Sequence, residues 1–150
     1  MPDEMKNAHE NTGGVCRTER SFPARVAALD SVLDFVNGCA EAVCSDNRVL
    51  MALNLCVEEA FVNVASYAYG EKEGDALISV ETEENAVSVS ISDSGSPFDP
   101  LAAPDPDVNE LAENERIGGL GIFMIKKQMD EVSYRYENGR NIFIMKKIIK

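Results

Sequence analysis

Apolar residues spaced three and four apart mark two long stretches in the first half of the chain. From Pro23, which suits a helix's first turn, Val26, Leu29, Leu33, Val36, Ala40 and Val43 form one stripe and predict a helix over about 23–44. Asp46 is placed to cap a second helix, along which Leu50, Leu53, Val57, Phe61, Val64 and Ala68 repeat until Gly70. A period of two takes over in ALISVET and AVSVSISD, joined by a short Glu-Glu-Asn turn. It returns in EVSYRYE and RNIFIMKKI, joined across Asn138-Gly139, a strong two-residue hairpin signal. VCRTERSF reads as a short edge strand. GGLGIFMIKKQMD reads as a glycine-rich start to an almost wholly apolar helix, expected to be buried against a sheet.

The remaining segments have no period. Residues 1–14 are polar, end in Gly13-Gly14 and are expected to be a disordered tail. Residues 94–117 hold four of the six prolines and several acids. A loop that long inside a compact domain is usually a functional lid or binding segment. The order strand, helix, helix, two strands, lid, helix, two strands predicts an α+β fold. Its form is a two-layer α/β sandwich, a mixed and mostly antiparallel sheet covered on one face by helices, as a single domain over 15–150.

Composition narrows the chemistry. A chain of 150 residues supports one domain with a real core, and its net charge of −12 disfavours a nucleic-acid backbone or an anionic membrane surface as the main partner. An anionic ligand would need help from a metal ion or from oriented backbone amides. No CxxC spacing relates Cys16, Cys39, Cys44 and Cys56, which read as reduced core residues, and the single histidine, His9, lies in the expected tail. No apolar run is long enough to span a membrane and the first residues are polar, so a cytoplasmic protein without span or signal peptide is expected.

Three features carry candidate chemistry. Glu59 and Asn63 are four apart on the second helix and share a face with Ala52, Cys56 and Tyr67, away from the Val57 and Phe61 stripe. That face is either solvated or functional: Asn63 Oδ1 is a hard oxygen ligand suited to Mg²⁺, and Glu59 could orient or deprotonate a nucleophile. Glu58 points elsewhere. Gly118, Gly119 and Gly121 open a helix whose unpaired N–H groups and dipole favour anions, although glycines also serve turns and close packing. The third is Asp93. In VSVSISDSGSPFDP, the register that puts Val87, Val89 and Ile91 on the apolar face puts Asp93 there as well. Asp93 and Gly95 could simply start a turn, but a carboxylate aimed inward is costly without donors, and it can only accept. The adenine N6 amino group is such a donor, whereas guanine offers an acceptor at the matching position.

Taken in order, Glu-x-x-x-Asn on a helix, Asp-x-Gly closing a strand, a long lid and Gly-Gly-Leu-Gly-Ile opening a helix resemble the nucleotide-binding boxes of the GHKL (Bergerat-fold) ATPases. EEAFVNVASYAY, DSGSPFDP and GGLGIFMIKKQMDEVSYRYENGRNIFIMKK look most like the anti-sigma-factor serine kinase branch, over about residues 15–150. The resemblance implies ATP and Mg²⁺ as cofactors, with Asn63 holding the metal at the phosphates and Glu59 as the base on a serine hydroxyl. It implies Asp93 on adenine N6, Gly95 leaving room for the base, and Gly118, Gly119 and Gly121 lining the phosphate site. The implied function is a serine/threonine protein kinase that phosphorylates a small anti-anti-sigma (STAS-type) partner and sequesters a sigma factor. Dimerisation is also expected from it. Tyr67 departs from the pattern, because relatives often have His four residues after the Asn and tyrosine supplies no cation. The alternative is therefore an ATP-gated binding module without kinase activity.

Overall fold

The computed structural model describes residues 8–12, 14–102 and 119–149. Six strands form a single sheet: β1 (Ala8–Thr12), β2 (Val15–Pro23), β3 (Asp75–Glu83), β4 (Ala86–Asp93), β5 (Glu131–Glu137) and β6 (Arg140–Ile148). Their order across the sheet is β1-β2-β3-β4-β6-β5, and every neighbouring pair is antiparallel. Among the described residues three α-helices complete the fold: α1 (Leu29–Ala40), α2 (Asn47–Asn63) and α3 (Gly119–Gln128).

Strand register explains which face the helices cover. Phe22, Ala76, Asp93 and Asn141 form one cross-strand row, and Ile78, Ile91, Phe143 and Tyr134 the next, followed by Val80, Val89, Met145 and Val132. This face joins Val32, Phe35 and Val36 of α1, Leu53, Val57 and Phe61 of α2, and Ile125 of α3 in one core. The opposite face carries Ser88, Ser90 and Ser92 of β4. Ser79 and Ser92 are nevertheless buried there, because Arg17 donates to Ser79 Oγ (3.0 Å) and Arg140 to Ser92 Oγ (2.6 Å), laying their stems over the sheet. The expected α+β sandwich is thus found, with a sheet that is antiparallel throughout.

Local signals set the element ends. Asp46 caps α2 by accepting from the Arg48 N–H at 2.9 Å, and Asn138 and Gly139 turn the β5–β6 hairpin with φ of 55° and 78°. α2 continues into a π turn over Val64–Ala68, and the chain leaves it at Gly70, φ 62°. By length and composition Asn47–Ala68 is apolar enough to cross a bilayer. Its Leu53, Cys56, Val57, Ala60 and Phe61 are instead core of this domain.

Four expectations are corrected. Residues 8–12 are not a tail: they form β1, paired with β2 through a turn in which Gly14 has φ 85°. Backbone pairing on a sheet edge requires no apolar period, which is why the sequence pattern missed it. β2 is accordingly not the edge. Pro23 does not start a helix but ends β2, opposite Asp75, and the first helix begins as a 3-10 turn at Val26. The α1 stripe is wider than expected, with Val32 and Phe35 in the core beside Val36 and Ala40, while Val26 is exposed. Of the expected lid over 94–117, residues 103–117 lie outside the described residues.

Candidate nucleotide site

α2 is the spine of the site. It faces the core through Leu53, Val57 and Phe61, and α3 packs on its flank. The flank bearing Glu59 is therefore not a solvated face: Cys56 and Ala60 on it are buried, Glu59 and Asn63 are half-buried, and Glu58 is exposed. Gly121 stands directly against Glu59, since a β-carbon added there would lie 2.6 Å from Glu59 Oε2. A glycine in the first turn of α3 thus admits a carboxylate beside the amide-rich end of a helix. Gly119 begins α3, and Gly118 lies outside the described residues. Among the described residues neither the Glu59 carboxylate nor the Asn63 amide has a hydrogen-bond partner. Burial pushes the Cys56 thiol up to about 11, against the pull of the Lys147 ammonium and with the Glu59 carboxylate adding to it.

Asp93 lies at the end of β4 on the helix-covered face, buried as its register requires. Its Oδ1 is satisfied from within, by the Gly95 N–H (2.9 Å) and by Asn141 Nδ2 (2.9 Å). Among the described residues its Oδ2 has no donor. The carboxylate is therefore fixed by one oxygen and presents the other as a bare acceptor. A carboxylate oxygen accepts and cannot donate, so Oδ2 calls for a donor.

Asn141 was not singled out by the sequence reading. It is buried on β6 directly opposite Asp93, and besides holding Oδ1 it donates to the Ser96 carbonyl (3.0 Å) and accepts from the Phe98 N–H (3.0 Å) and the Tyr134 hydroxyl. One amide thus ties the carboxylate to the first residues of the following loop. The signal was present in RNIFIMKK, where Asn141 is the polar member of the Phe143 and Met145 register, as Asp93 is of Val89 and Ile91. From the opposite face Arg140 grips the same turn, donating to Ser92 Oγ, to the Ser92 carbonyl (3.1 Å) and to Ser94 Oγ (2.7 Å).

Gly95 has a packing task beside the one the resemblance implied. A β-carbon there would overlap the Ala68 carbonyl, so its bareness lets the Asp93 turn pack on the C-terminal end of α2. Tyr67 lies in the π turn that starts after Asn63, and it is 79% exposed. α2 consequently carries Glu59 near α3 and, nine residues later, the seat of the Asp93 turn.

Comparison with known proteins agrees with this arrangement. Residues 22–147 match the histidine kinase-like ATPase domain family. The serine-protein kinase RsbW of Listeria monocytogenes serovar 1/2a is 32% identical over 118 residues, 75% of each chain, and that of Listeria innocua serovar 6a is 31% identical over the same share. The serine-protein kinase RsbW of Staphylococcus aureus (strain MRSA252) is 35% identical over 102 residues, 64% of each chain. With its matched region spanning β2 to β6 and every helix between, the chain belongs to the histidine kinase-like ATPase domain family and is a relative of the serine-protein kinases named RsbW.

Proposed function

We propose that the protein is an ATP-dependent serine/threonine protein kinase of the cytoplasm. In this reading it acts as an anti-sigma regulatory factor, phosphorylating a small anti-anti-sigma partner of the STAS type and sequestering a sigma factor through another surface. The observation that carries the reading is the half-buried Glu59 carboxylate against the first turn of α3, on the helix that also seats the Asp93 turn. Asp93 Oδ2 would accept from the adenine amino group. The amides of Gly119 and Gly121, with Gly118, would face the phosphates at the positive end of α3. Asn63 Oδ1, a hard oxygen with no hydrogen-bond partner among the described residues, would hold a Mg²⁺ ion, which would supply charge neutralisation at the phosphates.

Glu59 takes the proton of an incoming serine hydroxyl. The hydroxyl oxygen forms the new bond to the γ-phosphorus as the bond to the bridging oxygen breaks, and ADP leaves. Catalysis of this kind is positioning plus charge stabilisation, which asks for few reacting side chains. Incubation with labelled ATP and a candidate anti-anti-sigma protein tests the proposal: the partner's serine should be labelled, and Glu59→Gln should lower transfer by about 10²-fold or more while Mg-ATP still binds. Absence of transfer by wild-type protein that binds Mg-ATP normally would favour the second reading, an ATP-gated binding module. The exposed Tyr67, which brings no cation to the phosphates, is the feature on its side.

A further inference from the structure

We infer that Tyr69 is a positioning residue for the nucleotide base, acting through the Asp93–Gly95 turn; the inference rests on the nucleotide reading of that turn. Tyr69 is the first residue after the π turn that ends α2. Its hydroxyl accepts from the Ser94 N–H at 2.8 Å and donates to the Asp75 carbonyl at 2.6 Å. Its ring fills the space beside Gly74, where a β-carbon would overlap it, and the Gly74 carbonyl in turn accepts from the Ala24 N–H at 2.8 Å. One phenol therefore joins three segments: the end of α2, the start of β3 and the residue following Asp93.

The position of this bond gives it a role that Asn141 and Arg140 lack. Those two residues fasten the turn to its sheet neighbour β6. Tyr69 instead fastens it to the helix that carries Glu59 and Asn63, at a point adjacent to the Gly95–Ala68 packing. The base end of the site is thereby held at a set distance from the phosphate end. Because the Gly95 N–H is one of the two donors to Asp93 Oδ1, slackening Ser94 loosens the aim of Oδ2 as well. A hydroxyl that both donates and accepts satisfies two backbone groups at once, and phenylalanine at this position leaves both without it while keeping the ring.

The test is Tyr69→Phe, compared with wild type by calorimetric Mg-ATP and Mg-GTP titration and by steady-state transfer. The Kd and KM for ATP should rise roughly tenfold, the scale of a lost positioning hydrogen bond. The preference for ATP over GTP should narrow, and kcat at saturating ATP should remain within about twofold because Tyr69 does not touch the reacting atoms. A purely structural tyrosine predicts a lowered melting temperature with base preference unchanged, and that result overturns the inference. A fall in kcat with unaltered KM also overturns it. If the wild type binds neither nucleotide, the nucleotide reading fails and this inference with it; if the wild type binds ATP and Tyr69→Phe matches it in both affinity and preference, this inference alone fails.

Discussion

Two glycines show how much a single β-carbon decides. At Gly121 the added atom would meet the tip of Glu59, a flexible side chain, whereas at Gly95 it would meet the backbone of Ala68. Gly121→Ala should therefore fold as stably as wild type or up to about 1 kcal/mol more stably, since alanine favours a helix. It should still lose phosphoryl transfer, because Glu59 is displaced. Equal melting temperatures with transfer reduced at least tenfold is the expected pair of measurements. Gly95→Ala should instead lower stability by about 1–3 kcal/mol in urea titrations, the cost of overpacking against backbone. A third residue reports on the same neighbourhood through pH. The Cys56 thiol is pushed up to about 11 from an ordinary 9.0, so between these values the native state keeps a proton that the unfolded chain has lost. Stability must then fall as pH rises from about 9 to 11, by an amount on the order of 2 kcal/mol for two units. Cys56→Ala should remove that part of the slope, which denaturation midpoints measured at pH 8, 9, 10 and 11 would reveal.

Between elements, α1 and α2 are joined by a polar lock inside an otherwise apolar contact. Asn37 Nδ2 donates to Asn54 Oδ1 and Asn54 Nδ2 to Asn37 Oδ1, both at 2.9 Å, and Asn54 also donates to the Leu50 carbonyl at 2.7 Å. Replacing either residue leaves its partner's amide half-satisfied in a part-buried site, so Asn54→Ala should cost about 1–3 kcal/mol. The double variant with Asn37→Ala should cost less than the sum of the single changes, and a double-mutant cycle by denaturation measures the difference. Neither asparagine stood out in the sequence, because an amide on a helix looks the same whether it meets water or another amide. What could be read at this scale were features with local causes: the Asp46 cap, the Asn138-Gly139 turn, and the alternation that placed Asp93 on the inner face. What could not were features set by tertiary pairing. β1 forms because β2 offers it a backbone ladder, and Pro23 ends a strand because β3 lies beside it. The π turn that carries Tyr67 left no mark in the apolar spacing of Val57, Phe61 and Val64.

Over the whole molecule, the two ends of the site belong to different layers. Asp93 and Asn141 come from the sheet, Glu59 and Asn63 from the helix above it, and the Gly95–Ala68 and Tyr69–Ser94 contacts are where the layers meet. The sequence could name residues in both layers, Asp93 because it broke a period and Glu59 and Asn63 because they share a face off the apolar stripe, but only folding shows that one oxygen of Asp93 is already satisfied. That detail bears on selectivity: a single bare acceptor, held in place, favours an amino group over a carbonyl. The net charge of −12 gives no general attraction for a nucleotide anion, so affinity has to come from this local geometry. A ligand bound only to the native state stabilises it by about 2.7 kcal/mol at 100 times its Kd. Mg-ATP should therefore raise the melting temperature by several degrees, roughly 4 or more for a domain of this size with such a gain. Mg-GTP at the same concentration should raise it much less. Asp93→Asn keeps the shape but turns an acceptor-only group into one that also donates, and it should shrink the ATP shift while changing the unliganded melting temperature little. Equal shifts with ATP and GTP, or an ATP shift untouched by Asp93→Asn, would show that the nucleotide is not read by this carboxylate.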